Sequence, residues 1–239
     1  ALTDLILIQY IRRRCKVINV NWHEVSLAKK DVWQILVIGL PASITNLMIS
    51  YQTAVFNNYL AHYGADRVAA LGIATKVSQI VNSVMVGFAF GAQPLIGYNY
   101  GAQNHQRLQK IIRFDILVEV VWALIVAALM ILIAPWLVSL FLNNPAVIHY
   151  GTQILQILLI TTPFGGAILV YTTVFQSTAQ AFNALAMSIS RQGVLFTIAI
   201  VLGNLWFGYY GIIWAQAVAD VLTAIMGWAL YRHQVRQVK

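Results

Sequence analysis

Polar side chains inside long apolar runs are the first candidates for chemistry in this sequence. Ser43, Asn46, Ser50, Thr53 and Asn57 recur at steps of three and four residues, with Gln52 and Asn58 beside them, so they line one face of a helix. In the following run Thr75, Gln79, Asn82 and Val86 make a second stripe, flanked by Lys76 and Ser83. Each such group costs free energy in hydrocarbon unless it meets a partner or a wet cavity. Together the stripes predict one cavity wall formed by Asn46, Ser50, Thr53, Asn57, Thr75, Lys76, Gln79 and Asn82. The competing reading is hydrogen bonding between helices, worth about 0.6 kcal/mol per contact.

Charged residues at depth are fewer and sharper. Lys76 lies nine residues after Arg67, roughly 14 Å along a helix, which places it near the middle of a bilayer. A lysine there loses its proton readily on desolvation, suiting a proton-coupled or cation-sensing step. Asp220 lies nine residues after Gly211 and shares a face with Gln216 and Thr223, so Lys76 and Asp220 are the expected coupling or ion pair. Asp115 and Glu119 share a face of the third run nearer its charged end, where Arg113 or Lys110 can satisfy them; their expected role is structural. Arg191 is expected to reach toward headgroups. Tyr51, Phe56, Phe88, Phe90, Tyr171 and Phe175 lie deep enough to pack against an apolar or cationic guest. No phosphate loop, CxxC pair or HExxH motif occurs, and the five histidines do not cluster with acids, so neither a catalytic site nor a metal or other cofactor is expected.

The elements that must position these groups are membrane helices. The chain has 239 residues, 60% hydrophobic and 9% charged, against about a quarter charged in an ordinary soluble domain, and its mean hydropathy is +0.73. Six apolar runs exceed the roughly 18 residues that a span requires: 32–62, 67–98, 108–134, 146–176, 184–207 and 212–231. The expected architecture is an all-α bundle of six transmembrane helices over 32–232. It follows the end of a preceding helix (1–11) and a linker (12–31), and a short tail (233–239) comes after it. Pro41, Pro94 and Pro163 are expected to kink or interrupt their helices, and Asn144-Pro145 and Asn183 to start new ones. Trp22, Val25, Leu27 and Trp33 with Lys29 and Lys30 suggest a short helix at the headgroup layer. A plain loop fits as well.

The net charge of +8 comes from 15 basic residues scattered between apolar runs, a topology signal rather than a nucleic-acid surface. With the N-terminal segment inside, twelve lysines and arginines fall on the cytoplasmic side and Arg67 alone on the other. Both ends of this segment are therefore expected in the cytoplasm of a cell with this protein in its plasma membrane. The single cysteine, Cys15, stands in the basic run Arg12-Arg13-Arg14-Cys15-Lys16 and permits no internal disulfide. A start at Ala1 with Leu2 to Ile11 reading as the end of an apolar helix suggests a fragment of a longer protein.

The stretch Gly87 to Arg113, GFAFGAQPLIGYNYGAQNHQRLQKIIR, closely resembles the signature after the second helix of a repeat in the multidrug and toxic compound extrusion (MATE) family. Leu40-Pro41-Ala42, Ser190-Arg191-Gln192 and the segment Gly211 through Asp220 (GIIWAQAVAD) agree in order and spacing with the C-terminal lobe of such proteins. The resemblance implies two six-helix lobes around a central cavity, with this chain supplying one and an N-terminal lobe missing. It implies export of small amphipathic or cationic organic substrates in exchange for protons or sodium. It also implies a structural and gating element made of Gly87, Gly91, Gln93, Pro94, Gly97, Asn99 and Gly101, with Arg191. In that element the glycines permit tight helix contact and a sharp turn, and Gln93 and Asn99 cap exposed backbone.

Several family members carry acidic ion-coupling residues in the first and fourth helices of this lobe, but 32–62 and 146–176 contain no Asp or Glu. A sodium site of that type is not expected here, and proton coupling would rest mainly on a carboxylate of the missing lobe. Two rivals stand beside drug antiport. A lipid-linked oligosaccharide flippase of the same superfamily should show a cavity rich in arginine or lysine. An intramembrane enzyme such as an acyltransferase needs a His-Asp pair at depth, whereas His62, His105, His149 and His233 sit at span ends and His23 in the linker.

Overall fold

The computed structural model describes Gln9 and residues 28–237, with the backbone alone for residues 31, 33–42 and 234–237. Apart from Gln9, the expected end of a preceding helix, the linker through residue 27 with Cys15, and most of the headgroup-layer segment lie outside the described residues. The chain divides into two compact units, Ala1–Gly39 and Leu40–Lys239, and the helical lobe from Leu40 onward belongs to the second.

Six long helices follow one another: α1 Lys29–Ala61, α2 Ala65–Gly101, α3 His105–Ser139, α4 Pro145–Ser177, α5 Ala181–Phe207 and α6 Tyr209–Gln237. Helices α2 to α6 are each long and apolar enough to cross a membrane. The fold is an all-α lobe of the expected six helices, with ends shifted from the expected spans by up to six residues.

Prolines do not break these helices. Pro94, Pro135 and Pro163 all lie inside continuous helix, as does Pro41, so of the kink or interruption expected at Pro41, Pro94 and Pro163 the interruption does not occur. A proline removes one backbone hydrogen bond, but leaving the helix in an apolar medium would orphan several more. The irregularity sits instead in α5, where Ser190–Val194 forms a π turn between Ala181–Ile189 and Leu195–Phe207.

Helix starts follow cap chemistry. Asn104 and Asn144 accept hydrogen bonds from the Arg107 and Ala146 amides at the starts of α3 and α4, and Pro145 occupies the first turn of α4, as expected. Asn183 does not start α5. It lies inside the first turn and donates to Gln180 Oε1 at 2.7 Å.

Helix α4 is the most buried of the five and packs against α2, α3, α5 and α6. Small residues set its approach: a β carbon on Gly151 would lie 2.8 Å from Val138, and one on Gly166 would lie 2.8 Å from Met85 and 3.3 Å from the Glu119 β carbon. Helix α1 joins through buried Phe56 and Leu60, with the Phe56 ring 5.5 Å from that of Phe196 in α5. At the end where the α1–α2 and α5–α6 turns meet the start of α4, the Arg67 guanidinium lies 4.3 Å from the Tyr150 ring and 4.9 Å from that of Tyr209. It also donates to the Tyr63 carbonyl and the Tyr150 hydroxyl. Arg67 thus ties three turns together by cation-π attraction and hydrogen bonds.

Candidate functional site

Exposure sorts the surface of the lobe into two kinds. On α3 the exposed large side chains include Phe114, Leu117, Leu124, Leu129 and Leu132, on α5 Ile198, Leu205 and Trp206, and on α6 Val218, Leu222 and Ile225. All are apolar, the composition of a lipid-facing band. An apolar groove of about 600 Å³ between α5 and α6, lined by Leu202, Trp206, Tyr210, Trp214 and Leu222 among others, offers almost no polar atom. On α1 and α2 the exposed residues include Ser43, Asn46, Ser50, Thr53, Thr75, Lys76, Gln79, Asn82 and Ser83, with Asn57 half-buried. The two polar stripes therefore lie on the outside of this lobe and are not sealed within it.

Several of their groups are satisfied locally. Ser50 donates to the Asn46 carbonyl, Thr53 to Ile49, Thr75 to Leu71, Asn82 to Ser78 and Ser83 to Gln79. Such bonds lower the cost of a polar face without removing it. Tyr51, Phe88 and Phe90 are exposed on the same two helices, whereas Phe56, Tyr171 and Phe175 are core. Only the first three of the expected deep aromatics can therefore meet a guest.

The expected pairing of Lys76 with Asp220 does not form. Asp220 is 4% exposed and its Oδ1 accepts from Arg191 Nε at 2.7 Å and from Gln216 Nε2 at 2.8 Å. Gln216 is in turn bonded by the Gln52 amide of α1. The π turn carries Arg191 inward, against Gly165 of α4, so this arginine does not reach for headgroups as the sequence predicts. Lys76 is exposed, seven residues before Ser83 at the midpoint of α2, roughly 10 Å short of it. It has no hydrogen-bond or ion-pair partner among the described residues.

Asp115 and Glu119 were expected to be satisfied by Arg113 or Lys110, and they are not. They are 6% and 0% exposed, while Arg113 and Lys110 point outward. Oδ2 of Asp115 and both oxygens of Glu119 lack any hydrogen-bond partner. α3 begins at His105 rather than 108, which sets both acids deeper than the span boundary implied. Among the described residues no group of His, Cys, Asp and Glu is arranged to hold a metal ion.

The family model described as MatE matches residues 41–202. The chain belongs to the MATE family. The multidrug export protein MepA of Staphylococcus aureus (strain NCTC 8325 / PS 47) is 28% identical over 221 residues, covering 92% of this chain and 49% of the relative. MepA of Staphylococcus saprophyticus is 26% identical over 222 residues, covering 93% and 49%. The chain thus spans about half the length of these curated relatives. Two solved structures share the fold. One is a MOP superfamily transporter from Pyrococcus furiosus, at TM-score 0.90 and 19% identity over 99% of this chain and 54% of that one. The other is the Vibrio cholerae MATE transporter VcmN in the bent form, at TM-score 0.85 and 17% identity over 98% and 53%. With its apolar helices, the chain is an integral membrane protein of a transporter family, not of an enzyme family.

The MATE signature from Gly87 to Arg113 behaves differently from the tight-contact reading. Gly87, Gly91 and Gly101 have nothing within 4 Å of a built β carbon, and only Gly97 lies in ordinary contact, 3.7 Å from the Ser177 carbonyl. Gly101 ends α2 as a helical residue, and the left-handed position of the turn is taken by Gln103 at φ 53°. Asn99 is buried and donates to the Leu95 carbonyl, while its own carbonyl accepts the Asn104 amide. Gln93 is half-buried and Pro94 exposed. The signature is thus an exposed small-residue strip on α2, followed by a turn that Asn99 and Asn104 close.

Proposed function

We propose that the chain is the C-terminal lobe of a secondary active transporter in the plasma membrane that exports small amphipathic or cationic organic compounds. The other half of the transporter is a second six-helix lobe, and export proceeds by alternating access between the two. The observation that carries this reading is that α1 and α2 expose a run of polar groups, interspersed with Leu47, Ile49, Ile80 and Leu95, whereas the exposed side chains in the middle of α3, α5 and α6 are apolar. In a bilayer such a face is stable only against water or another polar surface. Asn46, Ser50, Thr53, Asn57, Thr75, Lys76, Gln79 and Asn82 then line this lobe's share of the cavity, with Tyr51, Phe88 and Phe90 supplying aromatic contact to a cation.

Protons rather than sodium are the coupling ion in this reading, because 32–62 and 146–176 carry no carboxylate. The lysine and arginine asymmetry puts both ends of the segment in the cytoplasm. The test is ethidium efflux by the full-length protein in proteoliposomes under an imposed pH gradient or sodium gradient. Uphill efflux under the pH gradient, slowed several-fold by Asn46→Leu combined with Gln79→Leu, is the expected result. Absence of efflux under either gradient, or wild-type rates in the double variant, would refute it.

A further inference from the structure

We infer that Asp115 and Glu119 form a proton-carrying site of this lobe's own, at the seam of α2, α3 and α4. The inference rests on the antiport reading and adds a second place where the coupling proton is held. The two acids stand one helical turn apart on one face of α3. Glu119 is 0% exposed and Asp115 6%, and three of their four carboxyl oxygens have no partner. Beside Glu119 the seam is apolar: a β carbon on Gly166 of α4 would meet both Met85 of α2 and the Glu119 β carbon. The Glu119 carboxyl lies by the Ala89 backbone of α2. One turn further on, Trp122 holds a buried indole N–H that is also unpartnered, a donor that the carboxylate lacks in its present setting.

Among the described residues no cation faces the pair from the elements around it. The buried face of α2 carries Val77, Ser78, Val81, Met85 and Ala89, and its Lys76 is exposed. The titratable group that α4 buries in this half is Tyr171, and α6 brings the Tyr231 ring to 5.7 Å from it. Arg191 of α5 approaches α4 at Gly165, one residue from the Glu119 contact at Gly166, but it is already bonded to Asp220. On α3 itself Lys110 and Arg113 are exposed.

Two ionised carboxylates so placed would repel each other in a medium that screens little, and each would carry a desolvation penalty. An alkali cation would relieve this only with a shell of several oxygen ligands, and the side chains of Met85 and Ala89 and the bare Gly166 add none to the two carboxylates. A proton needs one oxygen: a carboxylate takes it from water, becomes the neutral acid, and returns it to water when the lobe changes state. The adjacent contacts at Gly165 and Gly166 set this site one residue along α4 from the Arg191–Asp220 network.

Infrared difference spectroscopy on the purified full-length transporter, with and without ethidium, tests the site. The wild type should show a protonated-carboxyl carbonyl band that changes when ethidium binds; Glu119→Gln should lose it, and Asp115→Asn should shift it. Asp115→Asn alone decides the matter if Glu119→Gln does not fold. An unaltered band in these variants, with wild-type efflux intact, overturns the proton site by itself. No efflux from the wild type overturns the export reading instead, and the inference with it.

Discussion

At the scale of residues, Arg191 and Asp220 are the pair on which the packing of α5 and α6 depends. Their side chains are 25% and 5% exposed, and removing one leaves the other charge without compensation. Asp220→Ala should therefore destabilise the full-length protein by about 3 kcal/mol, read as a fall in thermal unfolding temperature in detergent. Arg191→Met with Asp220→Met should recover most of the loss. Equal damage from the double and single variants would show that the pair is not the unit. The sequence conveys the depth of each group along its own helix but not the direction in which helices turn toward one another. Lys76 and Asp220 share a depth, yet α2 and α6 are not packed against each other among the described contacts. The inward swing of Arg191 follows from a π turn at Ser190–Val194, for which no residue pattern is diagnostic. Asp115 and Glu119 were visible as acids on one face; what stayed hidden was that their neighbours across the seam are Met85 and Gly166.

At the scale of elements, close approach is governed by two kinds of glycine. A β carbon on Gly211 would overlap the Gly203 carbonyl, backbone against backbone. Gly211→Ala should cost about 3 kcal/mol, because neither helix can yield locally. Gly72 has nothing within 4 Å, so Gly72→Ala should be neutral or slightly stabilising, and both are measured as shifts in thermal unfolding temperature. Gly87 and Gly91 also face open space, yet they sit in the most family-like stretch of the chain. Alanine at either should leave thermal stability unchanged and slow ethidium efflux; a fall in stability like that of Gly211→Ala would instead make them packing positions. Helix number and order were legible because each apolar run exceeds a bilayer's thickness and each break holds turn residues. Helix ends were not: the polar residues that flank each run extend the helix into the headgroup layer, and Pro135 fails to stop α3 because nothing in hydrocarbon would satisfy the freed backbone.

At the scale of the whole molecule, the lobe is two-faced. Its α3, α5 and α6 present hydrocarbon-compatible surface, while α1 and α2 present amides, hydroxyls, an amine and the rings of Tyr51, Phe88, Phe90 and Tyr98 among exposed aliphatic side chains. The polar stripes were legible from spacing alone, since three- and four-residue steps put them on one face of each helix. That they face outward from the lobe was not, because periodicity does not distinguish a stripe turned to the core from one turned away. Cysteine accessibility in the full-length transporter, in a background without other cysteines, probes this division directly. Single cysteines at Ser50, Thr53, Gln79 and Asn82 should react with a membrane-impermeant thiol reagent and be protected by ethidium, while cysteines at Leu117, Leu124 and Leu132 on α3 should not react. Equal reactivity on both faces, or silence at all four polar positions, would contradict the account of α1 and α2 as the wall of an aqueous export path.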